Sequence, residues 1–120
     1  MNIDKSIKAS IPPSGAGCAD CEALGSWWFH LRRCAECGHV GCCDESLNHH
    51  ASSHAELTGH AIIQSYEPGE DWFYDFATDK TFAGPALAEP NSHPHDQSVP
   101  GPRARVPRDW IAQLNHANRG

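Results

Sequence analysis

The chain is short of cations. Its 120 residues hold nine Lys and Arg against 15 Asp and Glu, and residues 1–82 concentrate the imbalance, with five basic residues against 12 acidic ones. No basic stripe is present to neutralise a phosphate backbone, which argues against nucleic acid as a partner. Long apolar runs are missing too. Lys5 and Lys8 precede no hydrophobic stretch of export-signal length, and no later run approaches the roughly 20 apolar residues of a membrane span. The expectation is a cytoplasmic protein without a membrane partner, in a compartment where thiols stay reduced and structural disulfides are rare.

Core-forming residues are scarce at both ends. Residues 1–16 show no periodic pattern and are expected to be flexible. Residues 83–120 hold six of the nine prolines, with "VPRDWIAQL" as their apolar cluster. This Pro-rich tail is expected to be largely irregular, loose or docked on the rest, with a short helix near 107–116 and solvated histidines at His93, His95 and His116. The domain proper is then residues 17–82. A unit that small buries a marginal core, and below ~70–80 residues such folds commonly rely on metal or disulfides.

What the chain does have is soft-ligand chemistry. All six cysteines lie between Cys18 and Cys43, followed by "NHHASSHAELTGH" with four of the nine histidines. The surrounding pattern predicts an α+β fold, a twisted antiparallel sheet with one main helix. "SWWFHLRRC" alternates as a strand with Trp27, Phe29 and Leu31 on one face, and "HVGC" is a second strand. Asp44 or Ser46 can cap a helix carrying Leu47, His50, His54 and Leu57 on one face, ended by Gly59. "AIIQSY", the turn "EPGE" and "DWFYDF" read as a hairpin.

Cys18-x2-Cys21 and Cys34-x2-Cys37 each offer two thiolates to a tetrahedral ion. Cys42 follows, His50 and His54 stand one helical turn apart, and His60 returns past the helix end. Five cysteines and three histidines complete two four-coordinate sites, and closed sites of this kind are structural. Two structural zinc ions are the expected cofactor. Cys43 competes with Cys42 for one place and His49 with His50 for another; paired spacing with His54 favours His50. His30 and His39 read as surface or strand histidines. A disulfide scaffold does not suit a reducing compartment. The Cys-x2-Cys pairs lack the βαβ context of a redox motif. "His54-Ala55-Glu56" follows both cysteine pairs, whereas in nucleobase deaminases H-x-E precedes Pro-Cys-x2-Cys. "His50-Ala-Ser-Ser-His54" lacks the general-base Glu of zinc proteases. No enzyme is expected.

Taken together, "CADC…CAECGHVGCC…HHASSHAELTGHAI…DWFYDF" resembles the UBP-type zinc finger, the ubiquitin-binding module of deubiquitinating enzymes, over roughly Cys18 to Phe76. A RING-like finger is a weaker fit because no final Cys-x2-Cys follows Cys43. The resemblance implies interleaved ligands: Cys18, Cys21, Cys42 and His50 on one zinc, Cys34, Cys37, His54 and His60 on the other. It places Phe73 and Phe76 where some members carry a cysteine pair for a third zinc, so a hydrophobic pair is expected there.

The resemblance also implies a slot that grips the free C-terminal Gly-Gly of ubiquitin between aromatic walls. Trp72 and Tyr74 persist in the final hairpin as candidate walls, with Trp27 or Trp28 as a candidate for another; the competing reading is that these aromatics simply form the core. Arg32 stands where a further aromatic wall is usual, and Cys42-Cys43-Asp44-Glu45 stands where the family reads Cys-Gly-Arg-Tyr, so Asp44 replaces a cation. Arg32 and Asp44 are placed to pair across the slot's mouth. The expected function is a stand-alone, monomeric, non-catalytic module for a protein or peptide C-terminus, possible ubiquitin-like chains included. The alternative is a zinc-stabilised interaction domain whose pocket is lost.

Overall fold

A computed structural model describes residues 7–43, 46, 48–97 and 99–113. Its frame is a five-stranded antiparallel sheet of order β2-β1-β3-β4-β5, formed by β1 (Leu31–Cys34), β2 (Val40–Cys42), β3 (Ile62–Ser65), β4 (Phe73–Asp75) and β5 (Lys80–Phe82). Two helices join it: α1 (Ala19–Leu24) and α2 (His50–Thr58).

Register determines what each face carries. Cys34 lies opposite Ile63, Ile63 opposite Tyr74, and Tyr74 opposite Thr81, so these residues share one face with Arg32. The intervening positions turn the other way. Ile62 and Phe73 join Ile7, Ala35 and Leu87 in one buried cluster, while Leu31 and Val40 join Cys18, Cys21, Trp28, Cys42 and Tyr66 in another. Three of the sulfurs expected to ligate metal, those of Cys18, Cys21 and Cys42, are therefore part of the core.

Several sequence expectations are corrected. β1 starts at Leu31, because Trp28 instead exchanges backbone hydrogen bonds with Gly101 of the tail (2.8 and 2.9 Å). Trp28 then fills the Leu31 core, while Trp27 and Phe29 pack edge-on against Trp110. α2 begins only at His50, after His49 in a left-handed conformation that makes no side-chain cap, and Leu57 is 86% exposed. The buried face of that helix is Ala51 and Ala55. Phe73 and Phe76 do not form one pair: Phe73 stacks on Phe82, and Phe76 packs edge-on against Tyr74. α1 and β5 are additional to the predicted elements. In α1, Cys18 is the N-cap, its sulfur accepting from the Cys21 N–H.

The tail is docked where described. Ala88 N–H donates to Ala9 O and His93 N–H to Tyr66 O. Leu87 and His93 are buried, so His93 is not solvated. Residues 110–113 are helical. Arg33, fully buried, donates to the carbonyls of Pro90 and Ile11, clamping both end segments over the sheet.

Candidate metal centres and pocket

Two groups of four donors converge. Cys18, Cys21, Cys42 and His50 form one, and Cys34, Cys37, His54 and His60 the other, with the ligand atoms of each within 4.8 Å of one another. The eight residues fall into the same two interleaved sets as the family pattern. Cys43 stays outside, its sulfur 3.6 Å from Ser46 Oγ, and His49 precedes the helix.

Close backbone approaches make this possible. A Cβ on Gly41 would meet Ala51 N at 2.7 Å, so only glycine lets the first turn of α2 rest on β2. That approach brings the His50 N–H to 3.2 Å from the Cys42 sulfur. At the second cysteine pair, Gly38 adopts φ 81° and donates to Cys34 O, closing the turn that aims Cys34 and Cys37 at one point.

The separations test the fit. With Zn–S of about 2.3 Å and Zn–N of about 2.0–2.1 Å, tetrahedral S···S and S···N edges are about 3.8 and 3.5 Å. In the first centre His50 Nδ1 lies 3.3, 3.2 and 3.6 Å from the sulfurs of Cys18, Cys21 and Cys42, and Cys21 Sγ lies 3.9 Å from Cys42 Sγ. In the second, Cys34 Sγ is 3.5 Å from His60 Nδ1 and Cys37 Sγ 3.3 Å from His54 Nε2. Both clusters fit a structural zinc ion, which when bound would cross-link the four elements around it.

Electrostatics agree. Hydrogen bonds from Cys21 and Cys42 hold the Cys18 thiol down at about 2, whereas sharing with Cys18 raises Cys21 to about 11. Cys42 is pushed up by Cys18 and Cys21. Three sulfurs this close cannot all ionise unaided, and a divalent cation supplies the missing charge. Burial raises Cys34 to about 11. Burial, then the neighbouring His39 and His60, lowers His54, which suits a neutral imidazole ligand.

The second centre has oriented histidines. His60 Nε2 contacts Glu36 Oε2 at 2.8 Å, leaving Nδ1 to face the sulfurs. His39, read from sequence as a bystander, stacks on His54 at 4.2 Å and contacts Asp20 of α1. No spacing rule could have found it, because the stack exists only once α2 has docked.

On the sheet face bearing Tyr74 lies a pocket of about 410 Å³. Arg32, Ile63, Trp72, Tyr74, Phe76 and His30 line it. The Arg32 guanidinium sits 4.8 Å from the Trp72 ring centroid and donates to Leu31 O. Tyr74 bonds Asp79 through its hydroxyl. Three of the anticipated peptide-binding residues are thus assembled: Arg32, Trp72 and Tyr74. Asp44 and Glu45 lie outside the described residues, and with them the anticipated Arg32–Asp44 pair.

No curated protein matches the chain. Among solved structures it is similar to protein RPA1320 from Rhodopseudomonas palustris, determined in solution. The two are 42% identical, with a TM-score of 0.59, over 76% of this chain and 85% of that one. Residues 18–87, more than half of the chain, match the profile of the zinc finger of ubiquitin hydrolases and other proteins. With that match and two four-donor clusters at tetrahedral spacing, the chain belongs to the UBP-type zinc-finger family.

Proposed function

We propose that this UBP-type zinc-binding domain is a non-catalytic, cytoplasmic interaction module that takes a peptide or ubiquitin-like C-terminus into the pocket on its sheet. The observation that carries this reading is the placement of Arg32. Where the family carries an arginine two residues past the cysteine matched by Cys42, this chain has Asp44, yet a guanidinium reaches the pocket from β1 and is held against Trp72. A stacked arginine is pre-organised, so little rotamer freedom remains to be lost when it meets a carboxylate. Trp72 and Tyr74 stand two residues apart on and beside β4, on the side where Ile63 forms the floor. A glycine-ended chain is the slimmest occupant, able to bring its terminal carboxylate to Arg32 without a side-chain clash.

Calorimetric titration with ubiquitin ending in Gly-Gly, and with ubiquitin lacking those two residues, tests the reading. Binding of the intact form alone is expected. Arg32→Ala should then weaken it by roughly 10–100-fold, the scale of a hydrogen bond to a charged group. Equal binding of both forms, or of neither, would overturn the chain-end reading.

A further inference from the structure

The matched family region ends at residue 87, but the pocket's polar wall depends on a residue beyond it. Glu67, just after β3, has a side chain only 10% exposed and uses both oxygens. Oε1 lies 2.8 Å from His30 Nδ1. Oε2 accepts the Leu31 N–H at 3.0 Å and lies 2.8 Å from His93 Nε2. His93 is 3% exposed, and its Nδ1 lies 2.8 Å from Pro94 O, which fixes the ring beside the carboxylate. Burial opposes ionisation of Glu67, yet the hydrogen bonds from His30, His93 and Leu31 outweigh it and hold its carboxyl below the usual range.

The consequence reaches the ligand site. With Nδ1 of His30 committed to Glu67, Nε2 is the ring nitrogen left to the pocket that His30 lines beside Arg32. A histidine pinned at one nitrogen by a carboxylate has a fixed ring plane and presents the other nitrogen in a defined direction. We propose that His30 is a second anchor for the anionic chain end bound next to Arg32, and that His93 of the tail acts as its positioning residue through Glu67. This rests on the chain-end reading above. It makes the segment after the family domain part of the recognition machinery.

The test uses the full chain with both zincs. Its probes are an acetylated tetrapeptide ending in Gly-Gly with a free carboxylate, and the same peptide as its amide. The native chain should prefer the acid. His30→Asn preserves an amide near the Nδ1 position but leaves nothing at Nε2, so it should narrow the acid-to-amide preference by roughly tenfold. His93→Gln, outside the pocket lining, should narrow it similarly, while His95→Gln at an exposed tail position should not. If His93→Gln loses zinc or cooperative melting, Glu67→Asp takes its place, retaining the charge but drawing the carboxylate back by one carbon. A native preference for the acid that survives both His30→Asn and the His93 or Glu67 variant overturns this inference alone. Native binding to neither peptide overturns the chain-end reading and this inference with it.

Discussion

The two metal centres solve one problem in opposite ways. The first has three thiolates and one imidazole, so with Zn²⁺ it carries one net negative charge, and all three of its sulfurs are buried. The second has two of each and is neutral with the ion, and it leaves Cys37 exposed. A buried charge must be answered locally. The first centre answers with N–H groups aimed at sulfur: Cys21 N onto Cys18, His50 N onto Cys42, and Asn48 Nδ2 onto Cys21. The second, near solvent, invests in ring orientation, with Glu36 on His60 and the Asp20–His39 contact behind His54. One centre anchors the core, and the other ties α2 to the sheet at the surface.

The largest expected effect comes from removing metal altogether. Each structural zinc contributes an apparent binding free energy on the order of 10–16 kcal/mol, far above a small domain's own stability. Full chelation should abolish the cooperative thermal transition. A far-UV spectrum unchanged after chelation would contradict this. Falling pH should act in the same direction, since protons compete with zinc for every thiolate and imidazole.

Single ligands should separate the centres. Cys42→Ser is expected to lose one zinc and unfold the first centre, whereas Cys43→Ser should keep both ions, as metal analysis of each variant would show. Partial chelation should remove the second zinc first and expose Cys37 to alkylating reagents before Cys18 or Cys21. The reverse order would break the contrast between the centres. Glu36→Gln should weaken the second zinc by roughly 10–100-fold and leave the first unchanged.

Outside both centres, Glu67 adds an effect that depends on pH. Its folded carboxyl titrates below the usual range. Its stabilising contribution is therefore complete above the unfolded value and is lost as pH falls through the folded one. Denaturation of native and Glu67→Gln protein should differ by roughly 3–5 kcal/mol at neutral pH. The gap should shrink below about pH 4.5 as the unfolded-state carboxyl takes up its proton. A gap that widens in acid would reverse the assigned sign.

The comparison also marks what the sequence could reveal. Metal ligands are local and spaced by rule, so Cys-x2-Cys twice and His-x3-His were legible, as was Gly59 closing α2 at φ 78°. The β3–β4 hairpin was legible from its alternation. The alternation in "SWWFHLRRC" misled because the tail intervenes: Gly101 takes Trp28, and Trp110 takes Trp27 and Phe29. α1 could have been found, since Asp20 and Glu22 sit in its first turn and Gly25 follows it. β5 is three residues with two exposed, too short to show a period. His39, His93 and Glu67 were invisible for another reason: each matters through a partner 15 or more positions away, and nothing in a local pattern encodes that distance.

Cadmium-113 NMR on protein refolded with that metal tests the two unequal centres most directly, because each added thiolate moves the resonance downfield. Two signals of equal intensity are predicted, one in the three-sulfur range and one in the two-sulfur range, with Cys42→Ser altering only the former. A single signal, two signals of like shift, or a change of donor set in Cys43→Ser would contradict the account.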